Sequence, residues 1–116
     1  MSAVASARLE TAIEHIAAHF HEPRFSAATV AQRQGISPRY LQRLLETSGT
    51  TFTQRVTELR LQRAFTLLNE ASDGAGRIVD VALAAGFSDI SQFNRLFRAR
   101  FGDTPSAVRA HRRAKE

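Results

Sequence analysis

Cysteine and tryptophan are missing from this 116-residue chain, and lysine occurs once. Without a thiol there is no disulfide, no thiolate nucleophile and no cysteine-based zinc site. No apolar run approaches the roughly 20 residues that cross a bilayer. The opening MSAVASARLE lacks both the basic and the long apolar segment of a secretory leader. The cytoplasm is therefore the expected compartment. Convincing alternation of apolar and polar residues is absent as well, which argues against strands. What is present is an apolar fraction of 43%, enough for a packed core and too high for a disordered segment. The length suits one ordinary domain over 1–116, or two very small units sharing an interior.

With lysine nearly absent, the net charge of +5 is carried by 15 arginines. A guanidinium is a planar fork that meets phosphate or a guanine edge at two points, which an ammonium cannot do. The excess is local. Residues 1–90 hold 9 arginines against 9 acidic residues, whereas residues 91–113 hold 6 arginines against Asp103 alone. Such a concentration points to a polyanionic partner.

Apolar spacing predicts helices. Leu9, Ile13, Ile16, Ala17 and Phe20 make one face of a helix over about 5–20, closed by His21-Glu22-Pro23. A short helix from Ala27 to about Gln34 follows, with Ser26 as its cap. Gly35-Ile36-Ser37-Pro38 then stops one helix and starts another: glycine suits a left-handed end, serine an N-cap and proline a first turn. The next helix runs to about Thr47 and buries Leu41, Leu44 and Leu45. Residues 51–71 contain no glycine or proline and predict the longest helix, about 20 residues or about 30 Å. Ser72-Asp73-Gly74-Ala75-Gly76 reads as the one flexible loop. Helices at about 77–85, 89–101 and 104–112 complete an all-α chain of about seven helices.

Two of these helix pairs repeat. TVAQRQGISPRYLQRLL (29–45) matches DVALAAGFSDISQFNRLF (80–97), with Val30, Ala31, Gly35 and Ser37 pairing Val81, Ala82, Gly86 and Ser88 at an offset of 51. Leu41, Arg43, Leu44 and Leu45 pair Phe93, Arg95, Leu96 and Phe97 at an offset of 52, so the second copy gains one residue near its helix start. A short helix, a glycine turn and a longer helix is the helix-turn-helix pattern. The first unit with its connecting helix covers 24–71 and the second 77–112, a homeodomain-like plan with a long central helix.

In such a unit the second helix lies in the DNA major groove, its N-terminal half against base edges. Arginine reads guanine there, and glutamine or asparagine reads adenine. The first copy offers Arg39, Gln42 and Arg43; the second offers Ser91, Asn94 and Arg95, with Ile90 either touching a thymine methyl or partly buried. Ser37 and Ser88 are expected as N-caps, at helix ends that also favour phosphate. Arg98, Arg100, Arg109, Arg112 and Arg113 suit the DNA backbone, each taken singly also being an ordinary solvated arginine. Close to one DNA turn in length, the central helix would hold the two reading helices against successive major-groove segments.

GFSDISQFNRLFRARFGDTPSAVR resembles the signature of the AraC/XylS family of bacterial transcriptional regulators: Gly-Phe-Ser-Asp, then Phe-x-Arg-x-Phe-Arg, then Phe-Gly-x-Thr-Pro-x-x-x-Arg. Upstream, GISPRYLQRLL and GTTFTQRVTELRLQRAFTLL resemble that family's first unit and connecting helix, and the likeness covers about 24–112. Gln92 departs from it, standing where an aromatic commonly precedes the phenylalanine. The resemblance implies a seven-helix, two-unit domain that binds double-stranded promoter DNA and usually activates transcription by RNA polymerase, in the cytoplasm at the nucleoid. It carries base reading to Arg39, Gln42, Arg43, Ser91, Asn94 and Arg95, and places Tyr40 among the backbone contacts with Ser37 and Ser88. Most such regulators add an effector-sensing or dimerisation domain, often N-terminal; none falls within these residues, and the chain is expected to be either a stand-alone short regulator or an excised C-terminal half.

Two other classes compete. No glycine-rich phosphate loop or nucleophile constellation suggests an enzyme or a cofactor. His15 and His19, at i, i+4 with His21 nearby, have a spacing that could ligate a metal, yet no HExxH layout accompanies them and solvated histidines are the ordinary reading. A basic helical protein-interaction module without specific DNA readout is the other alternative. Salt separates these classes: binding to duplex DNA is expected to weaken linearly in log salt, by about 0.9 per phosphate neutralised. Titrating a labelled duplex at several salt concentrations measures that slope, and poor binding at every concentration would contradict the nucleic-acid reading.

Overall fold

The computed structural model describes residues 1–70 and 76–114, with side chains of the last helix described as far as residue 112. Seven helices and no strand occur among the described residues: α1 (Ala3–His19), α2 (Ala27–Gln34), α3 (Pro38–Thr47), α4 (Phe52–Asn69), α5 (Ile78–Ala85), α6 (Ile90–Phe101) and α7 (Pro105–Ala114). Ala71 and the expected loop residues Ser72-Asp73-Gly74-Ala75 lie outside the described residues.

Local chemistry places the ends. Ser2 accepts from the Ala5 N–H at 3.1 Å, so α1 begins earlier than its apolar stripe predicts. Ser26 accepts from Thr29 at 3.2 Å and Ser37 from Tyr40 at 3.0 Å. At the head of α4, Thr51 Oγ1 accepts from the Gln54 N–H at 3.1 Å while Gln54 Oε1 accepts from the Thr51 N–H at 3.0 Å. That reciprocal capping box satisfies two donors that a bare helix end leaves open.

Contacts divide the chain into two units, Met1–Leu59 and Arg60–Glu116, with the boundary inside α4. The first unit buries Ala12, Ile16, Val30, Ala31, Leu41, Leu45 and Val56. Its core thus draws on α1, which the repeat pattern leaves outside the first helix-turn-helix segment. Ala12 and Ile16 cover the inner face of a pair too short to enclose its own apolar stripe. The second unit buries Leu61, Ala64, Leu68, Val81, Ala82, Ala85, Phe87, Phe93 and Phe97.

The two interiors use different side chains at equivalent positions. Where the first has Leu41 and Leu45, the second has Phe93 and Phe97, and rings there run on from Phe87 to Phe93 (5.0 Å between centroids), Phe97 (5.6 Å) and Phe101 (4.7 Å). Phe65 of α4 closes the set at 4.7 Å from Phe101. These tilted arrangements are favourable for aromatic quadrupoles. Phe97, fully buried at the centre of this stack, is expected to cost about 3–5 kcal/mol when replaced by alanine. Urea unfolding measures that loss, and a change below about 1 kcal/mol would contradict the central place given to its ring.

Candidate nucleic-acid interface

The second helix of each repeated pair is launched by the same backbone device. Gly35 ends α2 with φ 68° and Gly86 ends α5 with φ 110°, both left-handed. The Gly35 N–H reaches Gln32 O and the Ile36 N–H reaches Ala31 O at 3.2 and 3.0 Å. In the second copy Gly86 reaches Leu83 O and Phe87 reaches Ala82 O at 3.0 and 2.9 Å. This paired closure is the Schellman motif, which occupies the last open carbonyls and turns the chain sharply.

Beyond the turn the copies diverge, and here one expectation is corrected. Ser88 does not cap α6: Asp89 does, its Oδ1 accepting from the Gln92 N–H at 3.0 Å. Asp89 lies 52 positions after Ser37, so the extra residue of the second copy is Ser88 itself, inserted ahead of the cap. The physical consequence is electrostatic. A neutral hydroxyl caps α3, whereas a carboxylate sits at the positive end of the α6 dipole and partly neutralises it.

On α3, Arg39, Gln42 and Arg43 are all exposed, opposite buried Leu41, Leu44 and Leu45. The Gln42 amide donates to Glu46 Oε1 at 3.3 Å, and the Arg43 guanidinium lies over the Tyr40 ring, 5.9 Å from its centroid. Arg39 and Gln42 also line a shallow groove with Pro38, Thr51 and Phe52. On α6, Ser91, Asn94 and Arg95 are exposed opposite Phe93 and Phe97. Ile90 is only partly exposed and packs against the second core. Each helix therefore brings its own polar trio together on one surface of its own unit.

The remaining arginines sort differently. Arg98 is exposed, and Arg100 lies over the Phe101 ring at 4.9 Å. Arg112 turns inward: its Nε donates to the Asn69 carbonyl at 2.7 Å, satisfying the C-terminal end of α4. Arg109 Nη1 likewise donates to the Gly76 carbonyl, at 2.6 Å. Arg113 lies outside the described side chains. No spacing rule could have found the Arg112 bond, because its acceptor is a backbone carbonyl 43 residues away.

The histidines do not converge on a common point. The His15 and His19 rings are 4.5 Å apart, and His19 pairs with Glu22. Burial, then the charges of His19 and Arg33, hold His15 below the ordinary histidine value against the pull of Glu22. The Glu22 carboxyl is lowered chiefly by its hydrogen bond to His19. Among the described residues no three histidine, aspartate or glutamate side chains come together as a metal would require.

This geometry, two Schellman-closed helix pairs with polar trios on their second helices, has close counterparts. A family described as a helix-turn-helix domain matches residues 30–111. The chain is 41% identical over 85 residues to the transcriptional activator RhrA of Rhizobium meliloti, an alignment covering 73% of this chain and 27% of the relative. It superposes with a TM-score of 0.78 and 36% identity on an AraC-type DNA-binding domain regulator from Chromobacterium violaceum, over 96% of each chain.

The chain belongs to the AraC-type helix-turn-helix family.

A second neighbour, the DNA-binding domain of the global transcriptional factor AdpA in complex with a target DNA, has a TM-score of 0.79 at 30% identity, over 93% of this chain and 95% of that one. This AraC-type chain is accordingly a sequence-specific DNA-binding domain of a transcription regulator. It spans less than a third of the length of RhrA. Within the AraC-type fold the two arginines differ in setting: Arg112 is half-buried on a backbone carbonyl, whereas Arg98 is exposed. Arg112→Ala is expected to destabilise the second unit by about 1.5–3 kcal/mol, the range of a charge-assisted hydrogen bond. Arg98→Ala should stay within about 0.5 kcal/mol of the parent. Paired urea titrations decide this, and equal losses would contradict the capping assignment.

Proposed function

We propose that this domain reads promoter DNA with both units, α3 and α6 each entering a major-groove segment, and that the regulator it serves activates transcription by engaging RNA polymerase in the cytoplasm. The single observation that carries the reading is the equivalence of two exposed pairs, Gln42-Arg43 and Asn94-Arg95, on helices launched by the same glycine closure. Glutamine and asparagine suit adenine, and arginine suits guanine. Arg39 and Ser91 extend the base-facing trios. Ser37, Ser88, Tyr40, Arg98 and Arg100 are proposed for the sugar-phosphate backbone, where Arg112 and Arg113 join them, Arg112 with its Nε held by the Asn69 carbonyl.

Helix α4 gives the proposal a spacing. Its 18 residues correspond to about 27 Å of rise, comparable with one DNA turn of about 34 Å. Fragments selected by the domain from a random duplex pool are expected to show two short elements about one helical turn apart. Two alanines inserted between Leu59 and Arg60, at the boundary of the units, keep both cores and rotate one unit by about 200° relative to the other. Affinity for the selected fragment should then fall to that of a duplex retaining one element. Undiminished affinity after the insertion, or a single contiguous element in the selected pool, would refute two-unit reading.

A further inference from the structure

The first unit's polar trio has a neighbour that no helix-turn-helix pattern includes. Arg8 belongs to α1, yet its guanidinium carbon lies over the Tyr40 ring at 5.6 Å from the centroid, and its Nη1 makes a long contact of 3.5 Å to the Tyr40 hydroxyl. Arg43 lies over that same ring at 5.9 Å. Both distances are within the reach of a cation–π attraction, about 6 Å. The Arg8 backbone is itself fixed, because Gln34 Nε2 of α2 donates to the Arg8 carbonyl at 3.1 Å.

Two like charges gathered on one phenol are unfavourable unless something anionic completes them. Among the described residues neither guanidinium is within ion-pair distance of a carboxylate. Arg8 and Arg43 are both exposed, so both remain available to a ligand, while Tyr40 of α3 is partly buried. The second unit has no such plate: the residue equivalent to Tyr40 at the offset of 52 is Gln92, so Arg95 has no ring at that position. The plate is therefore a property of the first unit alone, not of the repeat.

We propose that Arg8, on α1 and outside both helix-turn-helix segments, is a DNA-backbone anchor of the first unit, and that Tyr40 is the plate that positions Arg43 for base reading. The inference rests on the reading that Arg43 faces a base. Physically, the ring restricts an otherwise free four-torsion side chain, so less rotamer entropy is lost when the guanidinium meets guanine. Arg8, one helix away, adds a positive charge where a phosphate flanks that base.

The test uses the whole chain, a duplex from the selected pool, and the same duplex changed at the base pair whose preference Arg43→Ala relaxes. Arg8→Gln should lower affinity for both duplexes alike and reduce the log-salt slope by about 0.9, whereas Arg8→Lys should keep the slope. Tyr40→Gln, which installs the residue found at position 92, should reduce the preference between the two duplexes about two- to fivefold. Tyr40→Phe should keep it, and Tyr40→Gln should change nothing further in the Arg43→Ala background. The preference is a ratio of two affinities, so a lowered folded fraction cancels from it. If Arg43→Ala relaxes no base pair, the base-reading assignment fails and this inference with it. If Arg43→Ala does so while Arg8→Gln leaves the slope, or Tyr40→Gln the preference, unchanged, this inference alone is overturned.

Discussion

The left-handed glycines that end α2 and α5 are the constraint on which each unit is built. At Gly35 an added Cβ would meet nothing within 4 Å, so the requirement is one of backbone conformation and not of space. A side chain there would face the steric cost of the left-handed region. With glycine, the carbonyls of Ala31 and Gln32 are closed and the chain leaves at the angle that starts α3 three residues later, at Pro38. The same closure on Ala82 and Leu83 starts α6. Everything outward-facing on α3 and α6 inherits its direction from these two residues.

Packing then makes the direction hold. In the first unit aliphatic side chains of α2, α3 and α4 close over Ala12 and Ile16 of α1. The second replaces leucines by phenylalanines and fills the added volume with a chain of ring contacts reaching Phe65 and Phe101. Equivalent backbones with unlike interiors explain how one helical pattern tolerates different sequences: the two units share the patterning, while side-chain identity and volume differ and are matched within each core. The arginines follow a similar economy of position. Those on outward faces of α3 and α6 stay exposed, whereas Arg109 and Arg112 of α7 turn to carbonyls at Gly76 and Asn69.

Much of this was legible in the residues. Helical spacing gave the buried faces of α3 and α6, because a 3.6-residue period puts Leu41, Leu44 and Leu45 on one side and leaves Arg39, Gln42 and Arg43 on the other. Serine, glycine and proline marked the junction at 35–38 for the same reason: their preferences act within three or four residues. The cap of α6 was misplaced by one residue, since Ser88 and Asp89 are both acceptable caps and only the backbone path decides which carboxylate or hydroxyl reaches the Gln92 N–H. That α1 belongs to the first core was equally hidden, as an amphipathic helix reports that it has a partner without saying which.

By itself, then, the chain's order of residues determined the seven helices, the duplicated turn and the identity of the polar trios, all of which depend on neighbours a few positions apart. Tertiary structure alone decided that Arg8 shares the Tyr40 ring with Arg43 and that Arg112 closes α4. Those pairings span 32 and 43 residues, and their distance depends on how whole helices pack, a quantity no local preference encodes.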